Sequence, residues 1–173
     1  SLEDSTKVMP VGEVGEIRIR GPNVTKGYWN RPAETAEAFV GDRFLTGDIG
    51  YMDADGYFYL VDRKKDMIIS GGENIYPAEV ESALCDHPDV AEAAVIGIPD
   101  DKWGEAVKAV VVMKPGKSAT ATDIINFTRE RIAGYKTPKS VDFIPALPRN
   151  PSGKILRRSL REPYWAGKDR QVN

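Results

Sequence analysis

The stretch "LPRNPSGKILRRSLR", Leu147 to Arg161, sets Lys154 directly after a glycine in a Pro/Asn/Ser loop and only then begins a basic helix. A lysine there carries a compact ammonium that a flexible loop can bring to an anion and withdraw, a task suited to a mobile point charge rather than to the planar fork of arginine. Residue type alone favours a plainer role, a loop lysine that aids solubility. Two phosphate-binding readings fail on spacing. A P-loop needs a glycine five residues before the glycine of its Gly-Lys pair and a Ser or Thr after the lysine. Around Gly153-Lys154 those positions hold Pro148 and Ile155, and Val111 stands where Gly116-Lys117-Ser118 would need its first glycine. "GGEN", Gly71 to Asn74, lacks the G-x-G-x-x-G spacing of a dinucleotide site.

Composition limits what else these residues could serve. The chain has 173 residues, with Lys+Arg 24 against Asp+Glu 26 and a formal net charge of -2. That balance argues against binding nucleic acid or membranes through bulk electrostatics, so any basic site is local. Cys85 is the single cysteine, which excludes an internal disulfide framework, and no Cys/His cluster has zinc spacing. No metal site is expected in this chain. The setting expected is reducing and cytoplasmic. No apolar run approaches the ~20 residues of a membrane span, and "SLEDSTKVMP" lacks the regions of a signal peptide. No transmembrane segment is expected, which leaves peripheral membrane contact open.

The elements that must position the candidates follow from periodicity. "GEVGEIRIRG" alternates Ile17 and Ile19 with Arg18 and Arg20, a half-buried strand between glycine turns. "DADGYFYLVDR" gives a turn and then a strand from Tyr57 to Val61, and "RPAETAEAF" a helical turn. This first third reads as β-meander material too short for a good core of its own. After Asp62 the order becomes strand "MIIS", loop "GGEN", helix "PAEVESALCDHP", strands "VAEAAVIGIP" and "AVKAVVVMK", an amphipathic helix "SATATDIINFTRERIAG" stopped at Gly134, and a strand "VDFI". Those elements predict an α+β fold, a small mixed sheet with helices packed on it, preceded by a β-rich segment. The charge run "DRKKD", Asp62 to Asp66, reads on its own as a solvated linker.

Four stretches in register resemble the adenylate-forming enzymes, the family of acyl-CoA synthetases, luciferases and peptide-synthetase adenylation domains: "GEVGEIRIRGPNVTKGYWNRPAETAEAF", "FLTGDIG", "DRKKDMIISGGENIYPAEVE" and "LPRNPSGKILRRSLR". The third is closest to acid:CoA ligases, above all medium- to long-chain fatty acyl-CoA synthetases. The resemblance implies that residues 1–62 are the β-rich end of a large N-terminal adenylation domain, 63–65 a hinge, and 66–173 the mobile C-terminal lid.

The resemblance also implies roles. Asp48 accepts hydrogen bonds from the ribose hydroxyls of ATP, a task for an acceptor-only carboxylate, and Arg63 holds the ribose and phosphate region; a turn-capping aspartate and a linker arginine are the alternatives. Asn74 joins them in ATP/AMP binding. Lys65 is the hinge residue. Gly71, Gly72 and Glu73 line the tunnel for coenzyme A, and Arg129 contacts its nucleotide, with Arg131, Lys136 and Lys139 adding positive charge or only a solvated face. Lys154 is the catalytic lysine, bridging the substrate carboxylate and the α-phosphate. The expected reaction joins a carboxylic acid, expected to be a fatty acid, to ATP and then to CoA, with Mg2+ ligands lying in sequence upstream of Ser1. The N-terminal domain of the same enzyme is the expected partner, and residues 1–173 alone are expected to be inactive. Two alternatives remain: a ligase that loads a carrier protein, and a nonenzymatic module that binds an anion through Arg157, Arg158 and Arg161.

Overall fold

A computed structural model describes residues 1–167 and divides the chain after Lys65 into two compact units. In the first, β3 (Arg43–Met52) is the central strand, paired antiparallel with β1 (Gly15–Ile19), β2 (Phe39–Val40) and β4 (Phe58–Arg63). The Asp53 carboxylate closes the β3–β4 turn by accepting from the backbone N–H groups of Asp55 at 3.0 Å and Tyr57 at 2.9 Å, an Asx turn where "DADG" predicted a turn. α1 (Pro32–Glu37) is the short helical turn begun by its proline. Ile49 is the only buried hydrophobic side chain among residues 1–65, and Tyr57, Phe58, Tyr59 and Leu60 are exposed. The alternation of β1 is therefore only half realised: Ile17 is half-buried, and Ile19 faces solvent.

The 3-10 turn Lys64–Asp66 leads into the second unit. Its sheet runs in the order β6 (Glu73–Ile75), β5 (Ile68–Ser70), β8 (Gly104–Met113), β7 (Val90–Asp100), with β9 (Ser140–Phe143) parallel to β8. The apolar runs of β7 and β8 are nearly continuous because both faces are covered. One face packs Val95, Val107 and Val111 against Val80 and Leu84 of α2 (Pro77–Cys85) and Ile124 of α3 (Ala121–Arg129). The other packs Ala94, Ile96 and Val110 against Leu147, Ile155, and Leu160 and Tyr164 of α4 (Arg157–Trp165).

Two expected boundaries move. The "GGEN" segment is a hairpin turn followed by a strand: Gly71 and Gly72 take φ of 61° and 86°, the left-handed pair of a tight turn, and Glu73 and Asn74 pair with Ser70 and Ile69. The amphipathic helix α3 stops at Arg129, five residues short of Gly134. It starts at a capping box, Thr120 with Asp123, and ends in tighter turns in which the Arg131 and Ile132 N–H groups both bond Thr128 O while the Arg131 side chain takes Phe127 O at 2.8 Å.

Two polar clusters fix α4 on the sheet. Glu81 of α2 accepts from Val95 N–H at 2.8 Å and from Arg157 at 2.8 and 2.9 Å, while Arg157 and Arg161 both face the buried Asp66 carboxylate, at 3.9 and 3.7 Å. On the far side the buried Lys108 ammonium donates to Asp142 at 2.7 Å, and the Tyr164 hydroxyl donates to the same carboxylate. Burial works to raise the Asp142 pKa, but the hydrogen bonds from Lys108 and Tyr164 outweigh it and hold the carboxyl below its ordinary 3.8.

Glu81→Ala removes the acceptor of Val95 N–H and the two-pronged partner of Arg157, whose side chain is 23% exposed. The expected cost is about 3 kcal/mol, the low end for breaking a buried pair, measurable by urea unfolding. For Asp142 the depressed folded pKa contributes stability above the unfolded value, and that contribution disappears as pH falls through the folded value. Asp142→Asn should therefore be less stable than wild type at pH 7, with the gap closing below about pH 3.8; thermal melts across pH check it.

Candidate functional site

In the first unit, the β3–β4 register sets Asp48 directly opposite Arg63, and the two form an ion pair with Arg63 Nε 2.7 Å from Asp48 Oδ1. The loop geometry around Asp48 comes from its neighbours. Thr46 Oγ1 donates to Ile17 O at 2.7 Å and accepts from Asp48 N–H at 3.0 Å, while Gly47 adopts φ 71°, where a side chain would be strained. Beneath them lies Glu16, whose side chain is 6% exposed and whose carboxylate takes Gly47 N–H at 3.1 Å and the Lys64 ammonium at 3.0 Å. Glu16 joins the Thr-Gly-Asp segment to the residue beside Lys65. Sequence reasoning missed it, because β-alternation assigns Glu16 to the same solvent face as Arg18 and Arg20. Asp48 Oδ2 has no partner among the described residues, so the carboxylate keeps acceptor capacity beyond its contact with Arg63. Lys65 is exposed in its 3-10 turn.

In the second unit, Gly71 and Gly72 form the tip of the β5–β6 hairpin, with Glu73 and Asn74 exposed on the strand that follows. The β7–β8 turn supports this tip. Gly71 N–H donates to Trp103 O at 2.9 Å, Glu105 Oε2 accepts from Ile69 N–H at 3.1 Å, and a Cβ on Gly71 would lie 2.7 Å from the Trp103 ring. Gly71 is thus held to glycine by its φ and by the ring. Arg129, exposed at the end of α3, has no partner among the described residues. Its neighbours are less available: Lys136 holds both Glu79 oxygens at 2.7 Å, and Arg131 lies 3.4 Å from the Phe127 ring centroid. Burial opposes the Lys136 charge, yet the Glu79 contact raises its pKa above the ordinary 10.5. His87 is structural, its Nδ1 accepting Asp89 N–H at 3.2 Å and its ring edge-on to Phe127.

Lys154 stands on a closed hairpin, which corrects the flexible loop expected from composition. Arg149 and Ile155 bridge across it, Gly153 takes φ 83°, and Asn150 Oδ1 accepts Lys154 N–H at 2.9 Å while Asn150 N–H donates to Lys154 O at 2.9 Å. The backbone is fixed and the side chain exposed, with an ammonium that has no partner among the described residues. Of the three arginines that follow it, Arg157 and Arg161 are committed to Glu81 and Asp66, which leaves Arg158 alone as an exposed charge for the anion-binding alternative. No hydrogen bond or ion pair joins Lys154 to Glu73, Asn74 or Arg129 among the described residues. Nor do those residues contain a group of His, Cys, Asp or Glu able to hold a metal ion, or a helix long and apolar enough to cross a membrane.

Known proteins match this chain over most of its length. Residues 79–154 match the family described as AMP-binding enzyme C-terminal domain. The 2-succinylbenzoate–CoA ligase of Geobacillus kaustophilus is 52% identical over 92% of this chain and 32% of its own length. A fatty acid–[acyl-carrier-protein] ligase of Streptomyces coeruleorubidus is 46% identical over 99% of this chain and 33% of its own. The o-succinylbenzoate CoA synthetase of Bacillus subtilis, solved with its acyl-adenylate intermediate, superposes with a TM-score of 0.84 at 46% identity, over 91% of this chain and 32% of that one. The chain thus spans about a third of the length of the relatives it matches. Their names give different acids, so similarity over these residues does not single out a fatty acid. The motifs, the two-faced mixed sheet and these matches lead to one conclusion: the chain belongs to the adenylate-forming enzymes, and residues 79–154 are its AMP-binding enzyme C-terminal domain.

Proposed function

We propose that the chain is the C-terminal part of an ATP-dependent, AMP-forming acid:thiol ligase, and that Lys154 is its adenylation lysine. The observation that carries this is the Lys154 hairpin, a fixed backbone presenting an ammonium that has no partner among the described residues, beside Arg157 and Arg161, which are already neutralised. A carboxylate attacking the α-phosphate of ATP meets anion repulsion, and negative charge spreads over the phosphoryl oxygens in the transition state. One ammonium touching both groups aligns them and offsets that charge. Asp48, with Oδ2 open, receives the ribose hydroxyls, and the free N–H groups of Arg63 serve the ribose and phosphate region. Asn74 contributes to the nucleotide site, while Gly71, Gly72, Glu73 and Arg129 serve the thiol acceptor. Mg2+ would bind outside this chain.

Coenzyme A is the acceptor proposed first, and the acid is left at the level of a carboxylic acid. A carrier protein is the second reading, favoured by the 46% identity to a relative named for an acyl-carrier-protein ligase, which extends over 99% of this chain. Full-length enzyme carrying this sequence, given a panel of carboxylic acids, should release pyrophosphate only with its own acid. Product analysis with CoA and with a phosphopantetheinylated carrier protein separates the two acceptors.

Lys154→Ala should lower acid-dependent ATP–pyrophosphate exchange by about 10²- to 10³-fold, as expected for loss of a transition-state charge contact, while thioester formation from supplied acyl-adenylate is largely spared. Equal losses in both steps would refute the assignment. Lys65→Pro, at the boundary between the two units in sequence, fixes φ and removes a donor; one half-reaction should fall more than the other when each is assayed alone.

A further inference from the structure

Lys154 owes its placement to two residues before it. Both of its backbone polar groups bond Asn150, whose Oδ1 also accepts from Ser152 Oγ at 2.8 Å, and Gly153 N–H returns to Asn150 O at 2.9 Å. Arg149 then spans from the hairpin to the sheet: one guanidinium nitrogen, Nη1, donates to Gly153 O at 2.7 Å, and the other, Nη2, donates to Glu92 Oε1 on β7 at 2.6 Å. The turn thus has an internal lock and an external strut.

Magnitudes indicate what the strut is for. Arg149 and Glu92 are 40% and 43% exposed, and ion pairs so placed add about 0–1 kcal/mol to stability. As a fastening for the fold the pair is nearly worthless. As a geometric constraint it is not, because it restrains the carbonyl directly before Lys154, and a displacement of about 1 Å at a reacting group can cost as much as 10²-fold in rate. We propose that Asn150 and the Glu92–Arg149 pair are positioning residues that set where the Lys154 ammonium can reach. They act through Lys154 and touch no substrate. The proposal rests on the adenylation role given to Lys154 above.

The test uses full-length enzyme and the acid that supports pyrophosphate release, and it measures two half-reactions: ATP–pyrophosphate exchange, and thioester formation from supplied acyl-adenylate. Asn150→Ala removes the lock. Arg149→Lys keeps the charge facing Glu92 but loses the two-armed fork. Each should lower the kcat of exchange about 10- to 100-fold, with thioester formation changed less than about twofold and the melting temperature nearly unchanged. Asn150→Thr should restore most of the exchange rate, since a hydroxyl can accept Lys154 N–H as the amide oxygen does. A purely structural role would slow both half-reactions together and lower the melting temperature. Either that pattern, or exchange at the wild-type rate in Asn150→Ala and Arg149→Lys, overturns the inference. Lys154→Ala in the same assay tells its failure from failure of the reading beneath it. If exchange collapses in Lys154→Ala but survives the two positioning variants, only the positioning claim falls; if Lys154→Ala exchanges normally, both fall.

Discussion

Val95 lies on the open edge of β7, where its N–H has no strand to bond, and the Glu81 carboxylate supplies the acceptor. A carboxylate drawn into that partly buried position requires a cation, since an unpaired charge there would cost several kcal/mol. Arg157 meets the requirement with a two-pronged contact from the first turn of α4. Its neighbour one turn on, Arg161, extends the cluster to Asp66, the first residue of the second unit. The start of α4 is thereby fixed against α2, and Trp165 Nε1 fixes its end by donating to Gly97 O, again on the open edge of β7. The Lys154 hairpin lies between this helix and the Arg149–Glu92 strut, so an edge strand that must satisfy its own backbone ends up setting the frame for the lysine.

The same cluster explains what the sequence concealed. Lys154, Asp48 and Arg63 could be picked out as candidates because each sits among short-range neighbours of unusual type: Gly153 and Asn150, Thr46 and Gly47, and the charge run after Asp62. What was not legible is pairing across distance. Glu16 meets Lys64 from 48 residues away, Glu79 meets Lys136 from 57, and Glu81 meets Arg157 from 76. Local patterns describe Glu16 and Glu81 as ordinary surface carboxylates. The hairpin failed to show for a different reason. Asn, Pro, Ser and Gly favour a turn, but their composition does not say whether the Asn side chain closes it. The early end of α3 has a similar cause, since the Arg131 side chain satisfies a terminal carbonyl that a glycine cap would otherwise serve.

Charge bookkeeping within the second unit also separates the readings of its basic end. From the sequence, three arginines in five residues after Lys154 look like a patch for an anionic partner. In the fold, two of them neutralise acids from α2 and the start of the unit, and the buried Lys108 is taken by Asp142. The net charge near zero is thus reproduced locally, in matched pairs, and the residual positive charge is carried by side chains such as Arg129, Arg158 and Lys154.

Holding the backbone while freeing the side chain also has a thermodynamic consequence for such a contact. Ordering a residue's backbone costs about 1–2 kcal/mol, and immobilising a lysine side chain costs up to about 2 more. Asn150 and Arg149 confine the first cost to folding, so when Lys154 engages an anion only its side-chain torsions remain to be fixed. Its ammonium can leave as readily as it arrives, because among the described residues it has no partner competing for it. A lysine on a loose loop would bind the same anion more weakly, and one already in an ion pair would have to break it first. The observed arrangement avoids both losses, as the adenylation role proposed for Lys154 would require.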